Sequence, residues 1–205
     1  MTRALLCRML MVSAALAGCA TAPPDRFYTL NGAAPAGPVA AVPAANGAAA
    51  PLYIEMLAVS LPEQVSRNQL VVTSAAGRIE LLEQERWVGP LAGEIGRALS
   101  TAVSNQLDAI DVYHTPYPEQ ASVYRISTSV QRFESVLGQY ALVDAVWSVR
   151  QLTSGKVLTC RTVANEAVTG GYDALVAGHR RAVLRVADAM SKAVRGLVAG
   201  QPGGC

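Results

Sequence analysis

Near the start of the chain, Leu16-Ala17-Gly18-Cys19 sets a thiol directly after one aliphatic and two small side chains. Small side chains leave the backbone open to a peptidase, and a thiol can take up a diacylglyceryl group as a thioether. Other residues that do chemistry are sparse. Only two histidines occur, His114 in a proline-containing turn and His179 beside Arg180 and Arg181. Neither has a cysteine, histidine or acid at metal-ligand spacing, so no metal site is expected. Glu83, Glu85 and Glu94 are close in sequence, but paired-carboxylate catalysis needs a cleft that spacing does not supply. Gly-x-Ser-x-Gly and the phosphate- and dinucleotide-binding glycine patterns are absent. No catalytic residue and no cofactor are expected beyond a covalent lipid on Cys19.

The segment ahead of that thiol is built like a targeting signal. Residues 1–18 carry Arg3 and Arg8 and no acid, followed by an apolar run from Met9 to Leu16. This is the charged and apolar part of a secretory signal, too short to cross a bilayer as a stable helix. Ending in Cys19, it matches the lipobox of bacterial lipoprotein precursors. Residues 1–18 are thus read as a lipoprotein signal peptide and 19–25 as a lipidated tether. Cys19 becomes the first residue of the mature chain, with S-diacylglycerol and N-acyl groups, and two or three acyl chains anchor stably where one does not. The competing reading is an ordinary signal peptide cut nearby or an uncleaved anchor, with Cys19 incidental. Ala20, not Asp, follows the thiol; by resemblance to enterobacterial sorting this favours the outer membrane, with the domain on its periplasmic face.

A chain of 205 residues with 51% hydrophobic content can fill one well-cored domain with room for a flexible arm. Its formal charge of +2 falls to zero once Arg3 and Arg8 are removed, which leaves no electrostatic footprint for nucleic acid. Cys160 and Cys205 then remain as candidate disulfide partners. The periplasm is oxidising enough for a bridge, but sequence alone does not bring the two within bonding distance.

The elements that must hold any site follow from periodicity. Arg26–Leu30 is a brief strand, and residues 31–51 are uncharged Ala/Pro/Gly sequence that cannot bury enough surface to fold, read as a loop. Leu52–Leu61 is β-prone and closed by Pro62; the stretch from Gln69 to Trp87 reads as a hairpin turning at Ala76-Gly77. Pro90 opens a helix with Leu91, Ile95, Leu99, Val103 and Leu107 on its core face and Glu94, Arg97, Asn105 and Asp108 largely away from it. The stretch 111–120 ends that helix and turns the chain. Tyr124, Ile126, Thr128 and Val130 alternate along a strand that Phe133 leaves out of step, the mark of a bulge. Ala141, Val143, Ala145, Trp147 and Val149 share the face of a second strand. A turn at 153–156 leads to a third. Asp173 can cap a last helix whose inner side carries Leu175, Val176, His179, Val183, Val186, Met190 and Val194. The expected fold is one α/β domain, or α+β, over residues 26–199: a mixed β-sheet with two main amphipathic helices, and a Gly-rich tail at 200–205. The basic run from His179 to Arg185 reads as a solvated helix face. Trp147 belongs to the core by its strand position. Trp87, just before the helix start, either staples the helix entry or, with Arg86, marks a partner interface.

Taken in order, the lipobox, Arg26–Leu30, the stretch Ile54–Val72, Glu85–Leu107 with its Arg86-Trp87…Pro90-Leu91 junction, and Arg132–Ser135 followed by Tyr140–Val149 resemble the ABC-type transport auxiliary lipoprotein family (PqiC-like). The resemblance covers most of the mature chain, with a long Ala/Pro insertion and Glu63-Gln64-Val65 as departures. It implies a three-layer fold like the amino-terminal domain of TolB. It also implies an outer-membrane lipoprotein that is a non-catalytic accessory of an MCE/ABC-type intermembrane (phospho)lipid transport system. The implied partners are an MCE-domain periplasmic protein and, through it, an inner-membrane ABC transporter or permease, with assembly as a homo-oligomeric ring one arrangement. Two other classes stay open: a lipoprotein binding a hydrophobic or small ligand in its own pocket, and an envelope hydrolase, which would need a nucleophile–base pair.

Overall fold

The computed structural model describes residues 23–32, 51–74, 76–201 and 204–205. The signal peptide, Cys19, most of the tether and most of the Ala/Pro/Gly loop lie outside the described residues.

Apolar alternation makes Tyr140–Gln151 a strand (β7) inside a five-stranded sheet. Ala141, Val143, Ala145, Trp147 and Val149 are each at most 1% exposed, so the face read from sequence is the core face. On either side β7 pairs antiparallel with Val123–Val136 (β6) and Val157–Ala167 (β8). The β6 register shifts between Val130 and Arg132, which returns Phe133 to the buried side. Leu52–Met56 (β2) runs parallel to β6, and Ala109–Asp111 (β5) runs parallel to β2 at the edge. The order is β5-β2-β6-β7-β8.

Two helices cover the core face. Leu91–Leu107 (α1) starts after Pro90 and ends where Asp108 takes the left-handed conformation at φ 50°. Tyr172–Val198 (α2) follows Gly171, which caps it without a side-chain bond. Asp173 thus sits in the first turn, where its charge suits the helix dipole but does not cap. Ile95 and Leu99 of α1 and Val183 and Val186 of α2 meet Val130, Val143 and Ala145 at one junction, so both helices lie on the same side of the sheet. At Gly178 α2 touches the sheet directly: a Cβ there would stand 2.6 Å from Val168 Cγ2 and 3.0 Å from Ala141 Cβ.

The single sheet expected from sequence is divided in two. Arg26–Tyr28 (β1), Gln69–Thr73 (β3) and Ile79–Trp87 (β4) form a separate three-stranded sheet of order β1-β4-β3. β1 runs parallel to β4, and β3 pairs with it antiparallel as the anticipated hairpin. The stretch after α1 is also more than a turn, since β5 occupies its start.

The C-terminal tail comes back to the domain. Cys205 forms a disulfide with Cys160 of β8 across a Cα–Cα distance of 5.6 Å. The opposite face of the large sheet is polar and held by cross-strand pairs: Ser127 with Ser148 at 2.8 Å, and Arg161 bidentate on the Asp144 carboxylate at 2.9 and 2.7 Å. The hydrogen bonds from Arg161 outweigh burial and hold the Asp144 carboxyl below its usual range.

Candidate functional site

Along α1 runs an open groove of about 860 Å³. Its helix wall sets the small residues Ala92, Gly93, Gly96, Ser100 and Thr101 beside Glu94 and Arg97, so at the small positions the helix backbone stays close to any occupant. The facing wall is Met56–Val59, the segment leaving β2, and Val88 stands at one end, 61% exposed. Two carboxylates mark the groove. Asp111 accepts from Ser100 Oγ at 2.5 Å and from the Met56 and Tyr113 amides at 3.2 and 3.1 Å. Beside it the Tyr113 and His114 rings lie 4.2 Å apart.

Glu94 is the second carboxylate, and it corrects the helical-wheel reading that set it on the outer side. It is 1% exposed because the segment after β1 crosses over it. Its carboxylate accepts from Thr29 Oγ1 at 2.6 Å, the Leu30 amide at 2.9 Å and Asn31 Nδ2 at 3.4 Å, and it pairs with the Arg97 guanidinium. Burial alone would raise this carboxyl; the bonds from Thr29, Leu30 and Arg97 prevail and hold it below its usual range. Both groove carboxylates are thus occupied in holding backbone segments together. The arrangement favours binding over proton transfer.

The other acids weighed as a catalytic pair have partners of their own. Glu83 is exposed beside Arg86. Glu85 is buried and accepts from the Tyr28 hydroxyl at 2.6 Å, and burial together with that carboxylate pushes the Tyr28 phenol up to about 12.

His179 has a partner that its sequence surroundings did not show: Nε2 lies 2.8 Å from Ser135 Oγ, 44 residues away. A serine–histidine pair is the core of a hydrolase, but this one is enclosed, with Ser135 3% and His179 1% exposed. The imidazole stacks on Phe133 with centroids 4.0 Å apart, and Nδ1 has no hydrogen-bond partner among the described residues, so no third group there orients the ring. Burial lowers its pKa to about 3 and keeps the ring neutral. The pair packs the core.

Trp87 lies in the same cluster, 3% exposed, edge-on to Phe133 at 6.1 Å and to His179 at 6.4 Å. Its ring therefore staples the β4–α1 junction and is not offered to a partner, which corrects the interface expectation for Trp87. Arg86 is half-buried, donating to the Glu83 carbonyl at 2.6 Å. Val88, which sequence reasoning passed over, is the residue of this junction that faces outward into the groove. Among the described residues no cluster of His, Cys, Asp and Glu could hold a metal ion, and no helix is long and apolar enough to cross a membrane.

Known proteins share this fold. One solved structure of an uncharacterised protein matches with a TM-score of 0.63 at 13% identity, covering 84% of this chain and 99% of its own. A Xanthomonas campestris protein of family DUF330 matches with a TM-score of 0.55 at 15% identity, covering 74% and 88%. At these identities the likeness is one of fold. No curated protein matches the sequence. The model of the ABC-type transport auxiliary lipoprotein component matches residues 28–191, from β1 into the last third of α2, and this chain belongs to that family.

Proposed function

We propose that this protein is an outer-membrane-anchored, periplasm-facing accessory of an MCE/ABC-type intermembrane lipid transport system, lipidated on Cys19 and without catalysis of its own. The observation that carries the reading is the family match from β1 into α2, which spans the groove as well as the core. Membership supplies the transport role. The lipobox, the oxidised Cys160–Cys205 pair and a short tether support a domain held at a membrane on the oxidising side. Tethering raises the local concentration of a weak partner, so a modest interface is enough to dock the distal end of an MCE conduit. The groove beside α1, with Val88 at its end, is the surface we assign to that contact.

A second reading rests on the same groove. Its volume is in the range of small-molecule sites, so an independent lipoprotein carrying its own ligand is the alternative. Membrane fractionation with mass spectrometry of the amino-terminal peptide tests the anchor. The reading requires a triacylated Cys19 in outer-membrane fractions and a soluble, unprocessed or mislocalised Cys19→Ala. An unmodified cysteine there overturns it. Ligand recovered from an isolated, partner-free monomer supports the alternative.

A further inference from the structure

The three-stranded sheet exposes apolar side chains at one end. Ile79 is 53% and Leu81 43% exposed, at the start of β4, and they pair with Thr73 and Val71 of β3 on the outer face of the hairpin. The β6–β7 turn is at the same end. Val72 packs with Ala141 and Val168, and the Val168 amide donates to the Gln139 carbonyl at 2.9 Å. That turn carries Leu137, 42% exposed. Three large exposed apolar side chains, two from the start of β4 and one from the β6–β7 turn, therefore lie at one pole of the domain.

The chain enters β1 from the same pole. Because β1 is parallel to β4, with Arg26 opposite Glu85, the chain traced back from Arg26 heads toward Ile79. Seven residue steps separate Cys19 from Arg26, which at full extension span about 25 Å. From Glu85 back to Ile79, β4 covers about 20 Å in the same direction. The span of the tether exceeds this stretch of β4 by only about 5 Å, so a domain turned with this pole toward the bilayer brings the Ile79 end to the membrane surface while Cys19 is anchored.

We infer that Ile79, Leu81 and Leu137 form a membrane-contacting tip that enters the lipid interface beside the acylated Cys19. This inference rests on the proposal that Cys19 carries the anchor. The tip fixes the orientation of the domain, so that the groove beside α1 holds one direction relative to the bilayer and does not sweep through a cone of tether angles. Apolar side chains at such depth add to acyl anchoring without needing basic residues.

Quenching by brominated lipid tests it on the lipidated full-length protein. Ile79→Trp, and Leu81→Trp as a second variant should the first fold poorly, are reconstituted into phosphatidylethanolamine–phosphatidylglycerol vesicles containing dibrominated phosphatidylcholine. Val157→Trp is the comparison: Val157 is 47% exposed at the start of β8, opposite Arg150 at the far end of β7, about 35 Å from the β6–β7 turn. Trp87 and Trp147 are buried and give a constant background read in the parent protein. The expected result is loss of about half of the added emission in the Ile79→Trp variant and of none in the Val157→Trp variant. Equal quenching of both, or quenching of neither while the protein floats with the vesicles, overturns the tip and leaves the anchor standing; the pole then faces water or protein. Failure of the parent to float overturns the anchor and the tip with it.

Discussion

Replacing Cys205 with serine should remove more stability than any other single change outside the core, and the reason can be worked from chain length. The bridge to Cys160 spans 45 residues and encloses the rest of β8, the last turn and all of α2. In the chain-entropy account, opening such a loop in the unfolded state costs about 4 kcal/mol of folding stability. That is a large part of the roughly 5–15 kcal/mol that a domain of this kind holds in reserve. The change leaves little else to lose, since Cys205 is exposed and its other contact is a weak one to the Thr159 carbonyl at 3.6 Å. Urea unfolding followed by tryptophan emission suits the test, because Trp147 stands opposite Cys160 in the β7–β8 register. With a slope of roughly 2 kcal/mol/M, the midpoint of Cys205→Ser should fall by about 2 M, and reductant should bring the parent to the same value. A shift below about 0.5 M, or a parent indifferent to reductant, would refute the argument that α2 is tied to β8 by this bond.

Three further outcomes are expected. His179 is neutral and enclosed with a pKa of about 3, against 6.5 in the unfolded chain, so the unfolded state takes up the proton first and stability falls as pH drops below 6.5. Between about pH 6.5 and 5 this amounts to about 2 kcal/mol, a window above that in which Glu94, Asp144 and the buried Glu166, which pairs with Arg181 and Arg185 of α2, lose their ion pairs; His179→Gln should flatten the dependence there, and an unchanged slope would contradict it. Gly178→Ala, although it favours the helix by about 1 kcal/mol, should destabilise by about 1–3 kcal/mol because α2 must back away from Val168 and Ala141, as thermal melts would show. Trp87→Ala should cost about 3–5 kcal/mol and lose partner binding only through loss of fold, whereas Val88→Asp should keep the circular dichroism of the parent and lose the partner in a pull-down.

Much of this architecture could be read from period alone, and what escaped has a common cause. β6, β7 and β8 are long enough, at 14, 12 and 11 residues, for alternation to show, and the bulge before Phe133 announced itself as a break in phase. The core stripes of α1 and α2 were legible for the same reason. β5 has three residues, too few for any period, and its pairing with β2 sets Ala109 beside the distant Leu52. The division into two sheets depends on β1 lying parallel to β4, again a distant pairing without local signal. Glu94 looked outward because a helical wheel knows only its own helix; the cover comes from Thr29, Leu30 and Asn31. Ser135 and His179 meet through a turn of sheet and a helix. For Trp87 the residue type suggested either a staple or an interface, and the ring's place between Phe133 and His179 decides for the staple. The groove is likewise a product of packing, formed where small residues of α1 pass the segment leaving β2.

If this lipoprotein works as one part of a transport assembly, affinity capture recovers the rest of that assembly with it. Full-length protein would be drawn from detergent-solubilised envelopes, with Cys19→Ala as the unanchored comparison, and both proteins and bound lipids identified by mass spectrometry. An MCE-domain protein should come with the parent and be lost with Val88→Asp. A monomer that arrives with its own ligand and no partner would contradict it.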